Sequence, residues 1–288
     1  MSQKLTVGEA LDLVRQQLKS HAVSDSPSLD AQAVLEKVTG MHRPALLSHS
    51  DRELSDDETT TVLDLTNRLL NDEPLPYILG KWEFFGNPFI VTPDVLIPRP
   101  ETELLVDEAI RWIGENPAVI SVTDIGTGSG CIALSILNAY PDSVFNFFAV
   151  DISLPALRIA KSNAKLLKLG NRIRFIQSNL SYPLAGPIEL VCANLPYIPS
   201  KRCKELDVAK TEPIIALDGG FDGFEYYRQL FFDLQSKLAL RSLVLCEIEY
   251  SQKNIALTAA KAFFPEAEIM VKEDLSGMPR LLSIRNQE

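Results

Sequence analysis

Val119-Ile120-Ser121-Val122-Thr123-Asp124-Ile125-Gly126-Thr127-Gly128-Ser129-Gly130 is the stretch from which the fold can be read. A β-branched, apolar run from Val119 to Asp124 predicts a strand, and glycine at every second position of 126–130 predicts a turn. Cys131 to Asn138 then begins a helix. The same rhythm repeats downstream. Strands are predicted at Phe145–Asp151, Arg174–Ser178, Ile188–Ala193 and Leu243–Ile248, and helices at Pro155–Leu169, Gly223–Leu238 and Gln252–Phe264. Two late strands, Glu268–Val271 and Arg280–Ile284, are joined by the short segment Lys272 to Pro279, which cannot make a parallel crossover; one of them must run antiparallel. Alternation of this kind implies an α/β fold, a seven-stranded sheet that is mainly parallel with helices on both faces.

The first part of the chain reads differently. From Leu5 to about Asp72 apolar residues recur at helical spacing (Leu11, Val14, Leu18; Ala31, Val34, Leu35, Val38), with Ser28 as a cap and Gly40 as a stop. A further helix is expected from Asp56 to Leu70. This is a small helical bundle, either a stabilising cap or a substrate-recognition module. Prolines 74 and 76 end it, and the aromatic run around Gly86-Asn87-Pro88 predicts a β-hairpin. The expected domains are therefore helical 1–72, a hairpin linker 73–97, and the α/β domain 98–288. Pro100 fits the first turn of a helix carrying Leu104, Leu105, Ala109, Ile110 and Ile113.

With 288 residues and 46% hydrophobic content, the chain can build a substantial core. The polar opening Met1-Ser2-Gln3-Lys4 is unlike a signal peptide, and no apolar run approaches the ~20 residues of a membrane span. Cys131, Cys192, Cys203 and Cys246 show no CxxC spacing, so neither a zinc site nor a disulfide framework is expected. These features predict a soluble protein of a reducing compartment, the cytoplasm. A net charge of −10 without a Lys/Arg cluster weighs against nucleic acid as the main partner. The histidines (His21, His42, His49) all lie in the helical part, so the α/β domain has no histidine base of its own.

Glycines 126, 128 and 130 let the backbone pass close to a ligand, and the helix after them offers unpaired N–H groups. The spacing is not the G-x-G-x-x-G of dinucleotide-binding folds. Asp124 either repels a pyrophosphate and suits a cationic, amino-acid-bearing ligand, or merely serves the turn. Asp151, roughly twenty positions past the turn, is placed to accept from two ribose hydroxyls, and Asn179 lies toward an adenine. The set points to S-adenosylmethionine. Arg99 and Glu101 are either a surface pair or face that cofactor.

After the strand Ile188–Ala193 comes Asn194-Leu195-Pro196-Tyr197-Ile198-Pro199, at the strand end where open α/β sheets bind ligands. Asn194 offers an amide, Leu195 a carbonyl held extended by Pro196, and Tyr197 an aromatic face. Together they can grip a planar NH2 group. The tetrapeptide taken alone is equally an ordinary turn, but it resembles the signature of methyltransferases acting on exocyclic or amide nitrogens.

Over essentially its full length the chain resembles the bacterial release-factor glutamine methyltransferases. The resemblance is carried by Glu73-Pro-Leu-x-Tyr77, Ile97-Pro-Arg-Pro-Glu-Thr-Glu103, Asp124-Ile-Gly-Thr-Gly-Ser-Gly130, Asp151, Asn194-x-Pro-Tyr-Ile-Pro199 and Glu212-Pro-x-x-Ala-Leu-Asp-Gly-Gly220. It implies a Rossmann-like methyltransferase sheet behind a helical domain that helps hold a class 1 peptide chain release factor. The implied reaction is methyl transfer from S-adenosylmethionine to the glutamine amide of the Gly-Gly-Gln loop, giving N5-methylglutamine. Asn194, Leu195, Pro196 and Tyr197 are the implied catalytic and substrate-binding residues. The implied cofactor residues are Asp124, Gly126, Thr127, Gly128, Ser129, Gly130, Asp151, Asn179, Leu180 and Asn194, with Arg99 and Glu101. The 212–220 stretch is expected as a loop beside the pocket, with Ile214, Ile215 and Leu217 at its entry. Two positions depart from the family: Leu195 stands where it usually has Pro, and Asn179 where it usually has Asp. Asn-Leu-Pro-Tyr also resembles adenine N6-methyltransferases acting on nucleic acid, which is the alternative activity. A non-catalytic cofactor-binding protein is the alternative of another class; an NAD enzyme is disfavoured by the glycine spacing.

Overall fold

A computed structural model of the chain describes residues 4–22 and 24–286; the polar opening Met1-Ser2-Gln3 lies outside them. Contacts divide the chain into two compact units, 1–81 and 82–288. Compared with the expected limits of 72 and 97, the first unit takes in one more short helix, and the hairpin straddles the division.

The first unit consists of α1 (Val7–His21), α2 (Pro27–Thr39), α3 (Arg43–Ser48), α4 (Asp56–Leu70) and α5 (Leu75–Leu79). Val14, Leu18, Val34, Leu35, Leu46 and Leu65 form its core. Thr6 with Glu9 and Ser55 with Glu58 form capping boxes at the starts of α1 and α4, each contributing about 1 kcal/mol. Ser28 is not the cap of α2: Pro27 occupies its first turn, so the cap position falls to Ser26, which makes no side-chain cap bond. Gly40 does end α2, in the left-handed conformation.

The hairpin pairs β1 (Lys81–Phe84) with β2 (Asn87–Ile90). Its turn residues Phe85 and Gly86 both have positive φ, 50° and 68°, the pattern whose twist suits a two-residue hairpin. There follow α6 (Glu103–Glu115), β3 (Ser121–Ile125), α7 (Cys131–Ala139), β4 (Asn146–Asp151), α8 (Leu154–Leu166), β5 (Ile173–Gln177) and β6 (Ile188–Ala193). The short α9 (Ser200–Cys203) and α10 (Val208–Thr211) precede α11 (Glu225–Leu234), β7 (Leu238–Glu247), α12 (Lys253–Phe263), β8 (Glu268–Glu273) and β9 (Pro279–Asn286).

β3 to β9 make one seven-stranded sheet in the order β5-β4-β3-β6-β7-β9-β8. β9 is the antiparallel strand, pairing against both β7 and β8. β6 and the second half of β7 read as near-continuous apolar runs because both of their faces are covered. Leu190 and Cys192 of β6 join Leu243 and Leu245 of β7 in the core under α6 and α7. Val191, Ala193, Val244 and Cys246 enter the opposite core, under α11 and α12. β7 begins at Leu238, not at Leu243, because Leu238 pairs with Ile188 across an irregularity in the ladder, and α11 accordingly stops at Leu234. The strand order reverses between β3 and β6. That switch point opens a crevice at the carboxyl ends of the strands, with the glycine turn on one side and Asn194 on the other.

No helix among the described residues is long and apolar enough to cross a membrane.

Candidate active site

The turn after β3 is built to stay open. The N–H groups of Gly126 and Thr127 both donate to the Val150 carbonyl of β4, at 2.8 and 3.0 Å. Gly126 has a φ of 73°, and a methyl group there would lie 2.9 Å from the Leu195 side chain. The turn and the Asn194 loop are thus packed against each other, and glycine is what permits it. The nearest atom to a methyl group at Gly128 would be a backbone oxygen 4.0 Å away, so this glycine faces free space. Gly130 caps α7 at a φ of 82°.

Asp151, at the end of β4, accepts the Gly128 N–H on one carboxylate oxygen and the Ser153 N–H on the other, both at 2.8 Å. Each oxygen keeps a second lone pair for a ligand. Burial holds its carboxyl above the usual range. Asn179 is exposed and Leu180 buried, and both line the same cleft as Gly126, Thr127, Ser129 and Asp151. Asp124 does not line it. It is fully buried beneath the turn, where one carboxylate oxygen accepts the Thr127 hydroxyl at 2.6 Å and the other has no hydrogen-bond partner. Of the two readings open from the sequence, the geometry supports the turn.

Arg99 lines the cleft, whereas Glu101 is exposed outside it. Arg99 does not pair with Glu101. Its guanidinium donates to Glu212, whose other oxygen accepts the Ile97 N–H at 3.0 Å. One buried carboxylate therefore ties the Ile97–Glu103 and Glu212–Gly220 stretches together. Pro213 and Ile215 continue from it along the cleft wall; Ile214 is half exposed and Leu217 buried.

At the centre, the Asn194 side-chain NH2 donates to Glu247 Oε2 at 3.0 Å and to Thr102 Oγ1 at 3.2 Å. Among the described residues no donor bonds its Oδ1, and Asn194, Leu195 and Pro196 all line the cleft. Among the described residues no donor bonds the Leu195 carbonyl either. Two consecutive residues on the cleft wall thus each keep an acceptor without a donor among the described residues. Tyr197 is off the cleft wall, its hydroxyl 3.5 Å from Glu247 Oε1 and its carbonyl accepting from Gln252 Nε2 at 2.9 Å. Glu247 and Tyr227 were not visible in the sequence as site residues. The available signal for Glu247 was a single charge closing the apolar run Leu243–Cys246.

Glu247 and Asp124 are both sealed from water, and burial pushes each carboxyl up to about 7. This gives a stability prediction. The folded protein holds two protons that the unfolded chain releases near pH 4. The stabilisation is complete below that value and is lost as pH rises through 7. Unfolding free energy should fall by about 2 kcal/mol per group between pH 5.5 and 8. Urea midpoints at the two pH values measure it, and Asp124→Asn should remove about half the difference. Equal midpoints would show that both groups titrate normally.

Sheet order, glycine turn and the tetrapeptide at the adjacent strand end together define a methyltransferase. Residues 103–212 accordingly match the family described as "Methyltransferase small domain" and residues 9–80 that described as "PrmC N-terminal domain". A relative from Bradyrhizobium diazoefficiens, named release factor glutamine methyltransferase, is 33% identical over 287 residues, spanning 96% of this chain and 95% of its own. One of the same name from Caulobacter vibrioides is 34% identical over 289 residues, spanning 98% and 97%. The chain belongs to the release factor glutamine methyltransferase family. The ribosomal protein L11 methylase of Lactobacillus delbrueckii subsp. bulgaricus shares the fold, with a TM-score of 0.51 at 21% identity over 69% of this chain and 84% of that one.

Proposed function

We propose that the protein methylates the side-chain amide of the glutamine in the Gly-Gly-Gln loop of class 1 peptide chain release factors, using S-adenosylmethionine and giving N5-methylglutamine. The observation that carries this is the pair of free acceptors, Asn194 Oδ1 and the Leu195 carbonyl, beside a cleft lined by the glycine turn. A primary amide has two N–H donors, and two acceptors match it.

The cleft fits the cofactor. Gly128 faces open space, and Asp151 keeps a lone pair on each oxygen for a ribose. Asn179 and Leu180 line it after β5, and Asn179 accepts from an amine without charge assistance. When bound, S-adenosylmethionine supplies a methyl group on a positively charged sulfur that departs as a neutral thioether. The chain's own residues do the rest. Asn194 Oδ1 and the Leu195 carbonyl accept the amide hydrogens, aim the nitrogen and raise its electron density, so catalysis is alignment plus oriented dipoles. Methylation makes the amide strongly acidic, and its proton leaves to water without a histidine. The helical residues 1–72 help hold the release factor, and the reaction takes place in the cytoplasm with a protein rather than a nucleic acid as partner.

The test is transfer of label from S-adenosylmethionine to purified release factor, beside its Gln→Ala loop variant and ribosomal RNA. Label on the native loop alone is expected. Label on RNA would establish the adenine reading instead, and cofactor binding with no label on either would indicate a binding protein.

A further inference from the structure

We infer that Glu247, at the end of β7, is a positioning residue that sets which way the Asn194 amide faces. The inference rests on the reading above, since it concerns the same acceptor pair. The two ends of an asparagine amide are alike in shape and opposite in chemistry. Rotated by half a turn, Asn194 would present donors to the substrate NH2 and repel it. Nothing within Asn194 selects the productive orientation.

The selection comes from beneath. A carboxylate only accepts, so Glu247 Oε2, 3.0 Å from Asn194 Nδ2, can hold only the NH2 end. The Thr102 hydroxyl, which can donate or accept, follows that choice. Sequence neighbours cannot supply this contact. It exists because β6 and β7 are adjacent with Ala193 opposite Cys246, so the next residues along the two segments, Asn194 and Glu247, also meet.

Glu247 also anchors the second acceptor through its backbone. The Tyr227 hydroxyl donates to the Glu247 carbonyl and accepts the Leu195 N–H at 3.1 Å. A proline at 195 would have no N–H to give; this chain uses its leucine to tie the acceptor segment to β7. Glu247 is 2% exposed and off the cleft wall, so it acts through Asn194 and Leu195 and touches no ligand.

Protonation should loosen the arrangement, because a carboxylic acid can donate to Asn194 Oδ1 as well as accept from Nδ2. Glu101 and Thr102 face the carboxyl from the turn before α6, and Cys131 from α7. Asn194 and Tyr197 face it from the loop after β6, Tyr227 from α11 and Arg280 from β9. Burial is the largest influence, and it raises the carboxyl to about 7.

Glu247→Gln preserves volume but can both donate and accept, so it relaxes the selection without opening a cavity. In single-turnover transfer to release factor, its rate constant should fall about tenfold, with cofactor affinity unchanged. The wild-type rate should rise through pH 7, and that limb should vanish in E247Q. In the unliganded protein, the Asn194 side-chain ¹H–¹⁵N resonances should move between pH 6 and 8.5 in wild type and stay fixed in E247Q. An E247Q rate within twofold of wild type with the acid limb retained would overturn the inference. So would Asn194 resonances that ignore pH in wild type. If wild type labels no release factor, the functional reading fails, and the resonance titration still decides the role of Glu247.

Discussion

Asn194→Ala should lower the single-turnover rate of methyl transfer by roughly 10²–10³-fold at saturating substrate, a loss that outweighs any change in cofactor affinity. The size follows from what the side chain does. It supplies one of two acceptors for an amide nitrogen whose lone pair is delocalised and poorly nucleophilic. Without it the nitrogen is held at one point and is free to turn away from the methyl group, and a misplacement of about 1 Å can cost 10²-fold. The truncation also removes the Asn194 donor from the buried Glu247 Oε2, which costs a further 1–3 kcal/mol or so of local stability. The control is Asn194→Asp, which keeps the shape and an acceptor but sets a second carboxyl against Glu247. Like charges at that separation disfavour one another, so Asp should rescue little. A retained rate in Asn194→Ala would place the acceptors elsewhere on the cleft.

Much of this architecture is legible in the sequence, for reasons of local physics. Strand and helix periods alternate from Val119 onward, and the short connection after Glu273 forces an antiparallel strand. The glycine turn and the Asn194 loop were found because each concentrates its chemistry in a few consecutive residues. What the sequence hid is long-range. Arg99 and Glu212 are 113 positions apart, and Asn194 and Glu247 53 apart. Asp124 shows a second limit: a carboxylate at a strand end can face the ligand or the underside of its own turn, and only the backbone path through Thr127 decides. Tyr227 reads from the sequence as one more aromatic on the apolar side of α11, and its hydroxyl gains a role only when β7 and Leu195 meet over it.

The loop that seats the tetrapeptide has its own requirement, and Gly223→Ala is the variant that exposes it. Gly223 has a φ of 77°, and a methyl group there would overlap the Tyr197 carbonyl oxygen and lie 2.8 Å from Gln252 Nε2 and 3.0 Å from the Pro199 ring. The left-handed conformation alone costs an alanine roughly 1–2 kcal/mol. The overlap is with backbone, which cannot swing aside as a side chain can, so relief requires moving Tyr197 or breaking the bonds from Gln252 Nε2 to the Tyr197 and Gly223 carbonyls, at 2.9 and 3.0 Å. Together these should destabilise the protein by about 3 kcal/mol or more and lower transfer by more than tenfold. The comparison is Gly40→Ala at the end of α2, where φ is 69° but nothing lies within 4 Å. It carries the conformational cost alone, roughly 1–2 kcal/mol, and should leave the transfer rate near that of wild type. Denaturant midpoints and single-turnover rates measured on the two variants separate the terms. If Gly223→Ala were no worse than Gly40→Ala, the segment around Tyr197 would have to be compliant, and the rigidity ascribed to the acceptor pair would be lost with it.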